Sequence, residues 1–198
     1  MVRSGGATVV GLRFKDGVII AGERKVTHGT FVVSTRAKKV FLLNGRLAIG
    51  FAGVIADAQG VLRILSEELR YYQLSAKQTL SVEGTAKLLS RILYSNRLFP
   101  ILSEALVGGI DGEQPKLVVL DPLGSTISDD FAAVGTGAEI AIGVLEEGYS
   151  EDMSIEGARS LLLKSLRASA KRDVLSGSTV DLAIVTKSGA REEVVTLG

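Results

Sequence analysis

Thr8-Val9-Val10-Gly11-Leu12-Arg13-Phe14-Lys15-Asp16-Gly17-Val18-Ile19-Ile20-Ala21-Gly22-Glu23 is the stretch that decides the fold. Two β-branched runs, Thr8 to Phe14 and Val18 to Glu23, flank Lys15-Asp16-Gly17, and Asp-Gly between such runs signals a hairpin. The strand pattern continues through Phe31 to Ser34, Lys39 to Leu43 and Leu47 to Ala52, with Asn44-Gly45 as a second hairpin turn.

The period then changes. Ala58, Val61, Leu62, Leu65, Leu69 and Tyr72 recur at the three- and four-residue spacing of one helix face. Val82, Ala86, Leu89 and Leu93 mark a second helix, which Phe99-Pro100 should end because proline cannot continue it. Strands return at Leu106 to Ile110, Lys116 to Leu120 and Phe131 to Val134. A third helix is expected from about Ala138 to Glu147, and a fourth from Ser154, a good N-cap. Val180 to Thr186 and Glu192 to Thr196 close the chain as strands around Ser188-Gly189. Strand blocks alternating with helix pairs argue an α+β layered domain, with two antiparallel sheets face to face and helices on both outer faces. No internal repeat or linker divides it, and residues 7–198 read as one domain.

Composition excludes several roles. A chain of 198 residues with 46% apolar and 23% charged residues has enough apolar content for a substantial core. A formal net charge of +1 gives no support for nucleic-acid or membrane-surface binding, and no apolar run approaches the roughly 18 residues of a membrane span. The absence of cysteine removes disulfides, thiolate metal sites and cysteine nucleophiles. Residues 1–6, Met1-Val2-Arg3-Ser4-Gly5-Gly6, lack the apolar stretch of a secretory signal and read as a short leader. The expectation is a soluble chain, compatible with the cytoplasm.

Several motifs run in collinear order along nearly the whole chain. They are Thr8-Val9-Val10-Gly11, Lys15-Asp16-Gly17, Glu23-Arg24-Lys25, Ala37-Lys38-Lys39-Val40, Gly108-Gly109-Ile110-Asp111, Gly135-Thr136-Gly137 and Asp173-Val174-Leu175-Ser176-Gly177. Together they resemble the β subunits of the proteasome. The resemblance implies a four-layer αββα sandwich of the N-terminal-nucleophile hydrolase type. It also implies a threonine, freed by self-cleavage after a glycine, whose hydroxyl is activated by a neighbouring base. The family's catalytic lysine falls on Lys39, its orienting aspartate on Glu23, its oxyanion glycine on Gly53, and its turn serine on Thr136. Asp173 and Ser176 match the element that orients the N-terminus. Positions matching Val26, Ala37, Phe41, Phe51 and Ile55 line the substrate pocket, and all are apolar here.

The nucleophile's position falls on Ala7, which has no hydroxyl. Thr8 is the fallback, one residue late, and a one-residue slip in a strand turns the side chain to the opposite face. Glu23 keeps the carboxylate but adds a methylene that is expected to shift it, in a kind of site that tolerates little displacement. Two explanations of Ala7 stay open: a changed threonine in a Gly-Thr-Thr-Val-Val-Gly precursor, or a natural non-catalytic β type. Glu23 and Thr136 favour the second. The alternative function is an active threonine endopeptidase, through Thr8 or through the missing threonine.

The resemblance further implies inner heptameric rings of mixed β composition and α-type subunits outside them. An ATP-dependent unfoldase cap on the α ring and unfolded protein substrates complete the picture, with no cofactor or metal. His28, the one histidine, reads as a surface-turn residue beside Gly29. Glu67-Glu68, Glu146-Glu147 and Glu192-Glu193 read as solvated faces.

Overall fold

A computed structural model describes residues 6–198, so the leader expected at residues 1–6 lies, apart from Gly6, outside the described residues. In chain order the elements are β1 (Thr8–Phe14), β2 (Gly17–Glu23), β3 (Val26–His28), β4 (Phe31–Ser34), β5 (Val40–Leu43), β6 (Leu47–Gly53), α1 (Ile55–Ala76) and α2 (Val82–Ser95). There follow β7 (Ser103–Asp111), β8 (Gln114–Leu120), β9 (Thr126–Ser128), β10 (Phe131–Gly135), α3 (Ala138–Gly148), α4 (Ile155–Arg172), β11 (Thr179–Thr186) and β12 (Gly189–Thr196).

Among the described residues, two five-stranded antiparallel sheets form, ordered β10-β1-β2-β11-β12 and β5-β6-β7-β8-β9, and β3 and β4 make a separate ribbon. Strand alternation assigns the faces. In β6, Leu47, Ile49 and Phe51 pack against α1 and α2, whereas Ala48 and Ala52 join the cluster between the sheets. In β1, Val10 and Leu12 face α3 and α4, and Val9 faces the other sheet. The result is the α+β four-layer αββα sandwich. The inter-sheet layer leaves no room for a side chain at Gly50. A Cβ added at Gly50 would sit 2.6 Å from Val9 Cγ1.

The β5–β6 hairpin turns at Asn44 and Gly45, with φ of 51° and 63°. Two successive left-handed residues give the twist that joins antiparallel strands closely, and Asn-Gly tolerates it best. Ser154 caps α4 as anticipated, accepting from Gly157 N–H at 3.2 Å.

Three readings need revision. The helix expected to reach Phe99-Pro100 stops at Ser95, because Asn96 caps it: its backbone N–H bonds the Leu93 carbonyl and its side-chain amide the Ile92 carbonyl. The strands β3 and β9 were not anticipated; at three residues each they are too short to show a period. His28 ends β3 rather than sitting in the following turn.

Candidate active site

The two ends of the chain meet where β1 begins. Ala7 precedes β1, buried among Val9, Val40 and Ala52 in the inter-sheet cluster. Its carbonyl accepts the Thr136 N–H at 2.8 Å, which fixes the chain at this point. Thr8, the next residue, turns the other way. Its hydroxyl lies 2.6 Å from Ser176 Oγ and accepts the Gly137 N–H at 3.1 Å, with no exposure to solvent. The alternation of a strand therefore separates the two side chains, the methyl toward the second sheet and the hydroxyl toward α3 and α4.

Lys39 and Glu23 form the charged half of the site. Lys39 Nζ donates to Glu23 Oε1 and to the Lys25 carbonyl, each at 2.5 Å. The other carboxylate oxygen accepts Lys25 N–H at 2.6 Å and Gly177 N–H at 2.9 Å. The longer side chain of Glu23 reaches the Lys39 amine directly. Burial pushes Lys39 below the ordinary lysine value and Glu23 above the ordinary carboxylate value, and their mutual attraction opposes both shifts. A buried amine held below its usual value is suited to receive a proton from a hydroxyl.

The hydroxyl half is built on the 173–177 turn, which follows α4. Asp173 Oδ2 accepts from Ser176 Oγ and Thr136 Oγ1, both at 2.7 Å, and Oδ1 accepts Leu175 N–H at 3.0 Å. Lys25 ties the halves together, because its Nζ reaches the carbonyls of Val174 at 2.6 Å and Ser176 at 3.2 Å. Sequence reasoning quoted Lys25 but gave it no role. Its signal was alternation: Lys25 lies two residues beyond Glu23, on the same side of an extended segment.

Gly53 closes the far side, at a φ of 123°. A Cβ there would lie 2.2 Å from the Leu102 carbonyl oxygen, so only glycine fits. Beside it opens a cavity of about 190 Å³ lined by Gly6, Val26, Thr27, His28, Val33, Lys39, Gly53, Val54 and Ile55. Of the five residues assigned to the pocket, Val26 and Ile55 line this cavity. Phe51 is buried against α1 and α2, Phe41 packs on the same cluster, and Ala37 is not among the lining residues. Thr27 and His28 were not anticipated here. The buried Thr27 hydroxyl has no hydrogen-bond partner among the described residues.

Glu67-Glu68 and Glu146-Glu147 are exposed as expected, whereas Glu192-Glu193 is engaged by neighbouring groups. Glu192 accepts from Lys38 and from the Leu42 N–H, and Glu193 from Arg159 and Arg191. Among the described residues no cluster of His, Cys, Asp or Glu is placed to hold a metal, and no helix is long and apolar enough to cross a membrane.

A sandwich of this layering, with its buried Lys39–Glu23 pair and the Asp173–Ser176 turn at the start of its first strand, is the N-terminal-nucleophile hydrolase fold. A family profile described as "Proteasome subunit" matches residues 3–185. The sequence is 48% identical over 192 residues to proteasome subunit beta 2 of Pyrobaculum calidifontis, covering 97% of this chain and 95% of that protein. It is 45% identical over 184 residues to proteasome subunit beta 1 of Ignicoccus hospitalis, covering 93% and 92%. Against proteasome subunit beta 1 of Hyperthermus butylicus the identity is 44% over 197 residues, with 97% of each chain covered. The chain belongs to the proteasome subunit family, among the threonine-type hydrolases, and is a β-type subunit of the core particle that assembles with other proteasome subunits.

Proposed function

We propose that this subunit is non-catalytic and works as a structural member of the proteolytic chamber. In this reading it completes inner heptameric rings of mixed β composition between α rings in the cytoplasm. An ATP-driven unfoldase on the α ring feeds unfolded protein to active neighbours. Residues 1–6 act as a leader that the chain cannot remove, and residues 7–198 as the folded domain.

The observation that carries this reading is the methyl of Ala7 at the start of β1, the position the family's nucleophile occupies. An alanine offers no hydroxyl for Lys39 to activate and none to attack the peptide bond before it. Thr8 does not replace it, because its hydroxyl is turned toward Ser176 and Gly137 and away from the inter-sheet side. Lys39, Gly53, Asp173 and Ser176 keep the family's residue types near Ala7, whereas Glu23 and Thr136 stand for its aspartate and serine. Val26 and Ile55 belong to an apolar recess beside it. An active threonine endopeptidase is the second reading, favoured by the intact Lys39–Glu23 pair.

The test is peptide hydrolysis by the purified chain, alone and assembled with α-type subunits. No hydrolysis is expected in either state. Activity that follows this chain alone and is abolished by a threonine-directed epoxyketone would overturn the reading. Reconstitution with α and active β subunits checks the structural role: particles should contain this chain with residues 1–6 intact and lose activity when it is omitted.

A further inference from the structure

The hydroxyls of Thr8, Ser176 and Thr136 converge on one carboxylate, and their protons have only one consistent arrangement. Asp173, as a carboxylate, accepts and does not donate. The 2.7 Å contact from Ser176 Oγ to Asp173 Oδ2 therefore holds the Ser176 proton. Ser176 has no second proton to give, so in its 2.6 Å contact with Thr8 it is the acceptor and Thr8 the donor. Thr8 in turn accepts the Gly137 N–H at 3.1 Å. The sequence of donation runs from the Gly137 amide to Thr8, from Thr8 to Ser176, and from Ser176 to Asp173. Thr136 reaches the same Asp173 oxygen at 2.7 Å while its N–H holds the Ala7 carbonyl. Gly137 is packed tightly into this arrangement: an added Cβ would lie 2.3 Å from Thr8 Oγ1 and 2.9 Å from Ser169 Cβ.

We propose that Thr8 is a positioning residue, whose hydroxyl sets the direction of this hydrogen-bond chain and holds the Asp173–Ser176 turn in register with residue 7. Both the proton and an acceptor site of Thr8 are committed to the chain, and the side chain is fully buried, so it acts by placement and forms no bond to substrate. The same chain anchors the first strand to the turn after α4, across a sequence separation of 168 residues. The proposal rests on the reading of this site as a proteasome β site without its nucleophile.

The test uses the full chain assembled with α-type subunits. In an Ala7→Thr background, first-order loss of residues 1–6 is followed by mass spectrometry with Thr8→Val and Thr8→Ser added. Thr8→Val keeps the shape and removes the hydroxyl, and is expected to slow cleavage about tenfold to a hundredfold. Thr8→Ser restores the hydroxyl and is expected to return the rate to within about twofold. Equal rates for Ala7→Thr with and without Thr8→Val, or no rescue by serine, would overturn the proposal. If Ala7→Thr alone cleaves nothing, the retained-framework reading fails, and Thr8 is judged on the otherwise unchanged chain. There, Thr8→Val should speed hydrogen exchange of the Gly137 amide about tenfold, and Thr8→Ser should leave it unchanged. Unaltered exchange in Thr8→Val would sink the assignment.

Discussion

Lys39 Nζ and Glu23 Oε1 meet at 2.5 Å in a space that leaves their side chains 3% and 1% exposed. Neither charge has solvent to fall back on. Each is stabilised by the other, by the Lys25 carbonyl on one side and by two backbone N–H groups on the other. Removing one member strands its partner as a buried, uncompensated charge. Lys39→Met is therefore expected to destabilise the fold by about 3–5 kcal/mol, and the double change Glu23→Gln with Lys39→Met to recover most of that loss. Denaturant unfolding at neutral pH measures both. A loss below about 1 kcal/mol for the single variant would show that water reaches the pair.

The same pair sets a pH dependence whose sign follows from the direction of each shift. Glu23 is raised from its ordinary 4.5, so the folded state binds this proton more tightly and stability falls as pH rises through the window above 4.5. Lys39 is lowered from its ordinary 10.5, so the folded state loses its proton first and stability falls as pH drops through the window below 10.5. Relative to the double variant, the parent protein should be least favoured near neutral pH and gain toward both ends. Unfolding free energies measured across pH 4.5 to 10.5 test this, and a flat difference would contradict it.

Gly137 offers a packing test that involves no charge. Gly137→Ala is expected to cost about 1–3 kcal/mol, since its methyl meets the Thr8 hydroxyl and Ser169. Thr8→Ala removes one of those obstacles. A double-mutant cycle should then show a coupling of about 0.5 kcal/mol or more, and strict additivity would mean that the backbone shifts away instead.

Much of this was legible in the chain, and the illegible part has physical causes. The hairpins at Asp16-Gly17 and Asn44-Gly45 and the α4 cap at Ser154 depend on local chemistry, which the sequence carries directly. The faces of β6 do not. Alternation says that Phe51 and Ala52 point opposite ways, but which side holds a pocket and which a helix layer is decided by α1 and α2. Phe51 was accordingly assigned to the pocket and is found beneath the helices. The helix faces read at Ala58 to Tyr72 and Val82 to Leu93 bury Ala58, Val61, Leu65, Leu69, Val82, Ala86, Leu89 and Leu93 in the cluster shared with the adjacent sheet. Exposed apolar side chains include Tyr71 and Leu74 on α1, Leu98 and Phe99 after α2, Phe31 on β4 and Val174 in the turn after α4.

Leu98 and Phe99 are 83% and 90% exposed, unusual for large apolar side chains in a lone domain. Changing both to glutamate should alter thermal stability by no more than about 0.5 kcal/mol, because neither is in the core. Association with other proteasome subunits should weaken, as read by sedimentation. Unchanged assembly would place the contact surface on another part of the molecule.

The topology also imposes a timetable during synthesis on the ribosome. The sheet containing β5 to β9, with α1 and α2, is one continuous stretch from residue 40 to residue 128. It is complete once that stretch has emerged. The other sheet draws β1 and β2 from the beginning and β10, β11 and β12 from much later, so β2 waits for its second neighbour until β11 has been made. Long-range pairing of this kind is slow to form and leaves strand edges open meanwhile. The candidate site around residues 7 and 8 accordingly waits for the C-terminal part of the chain: a nascent chain that stops short of residue 176 has a finished half-sandwich and no site at all.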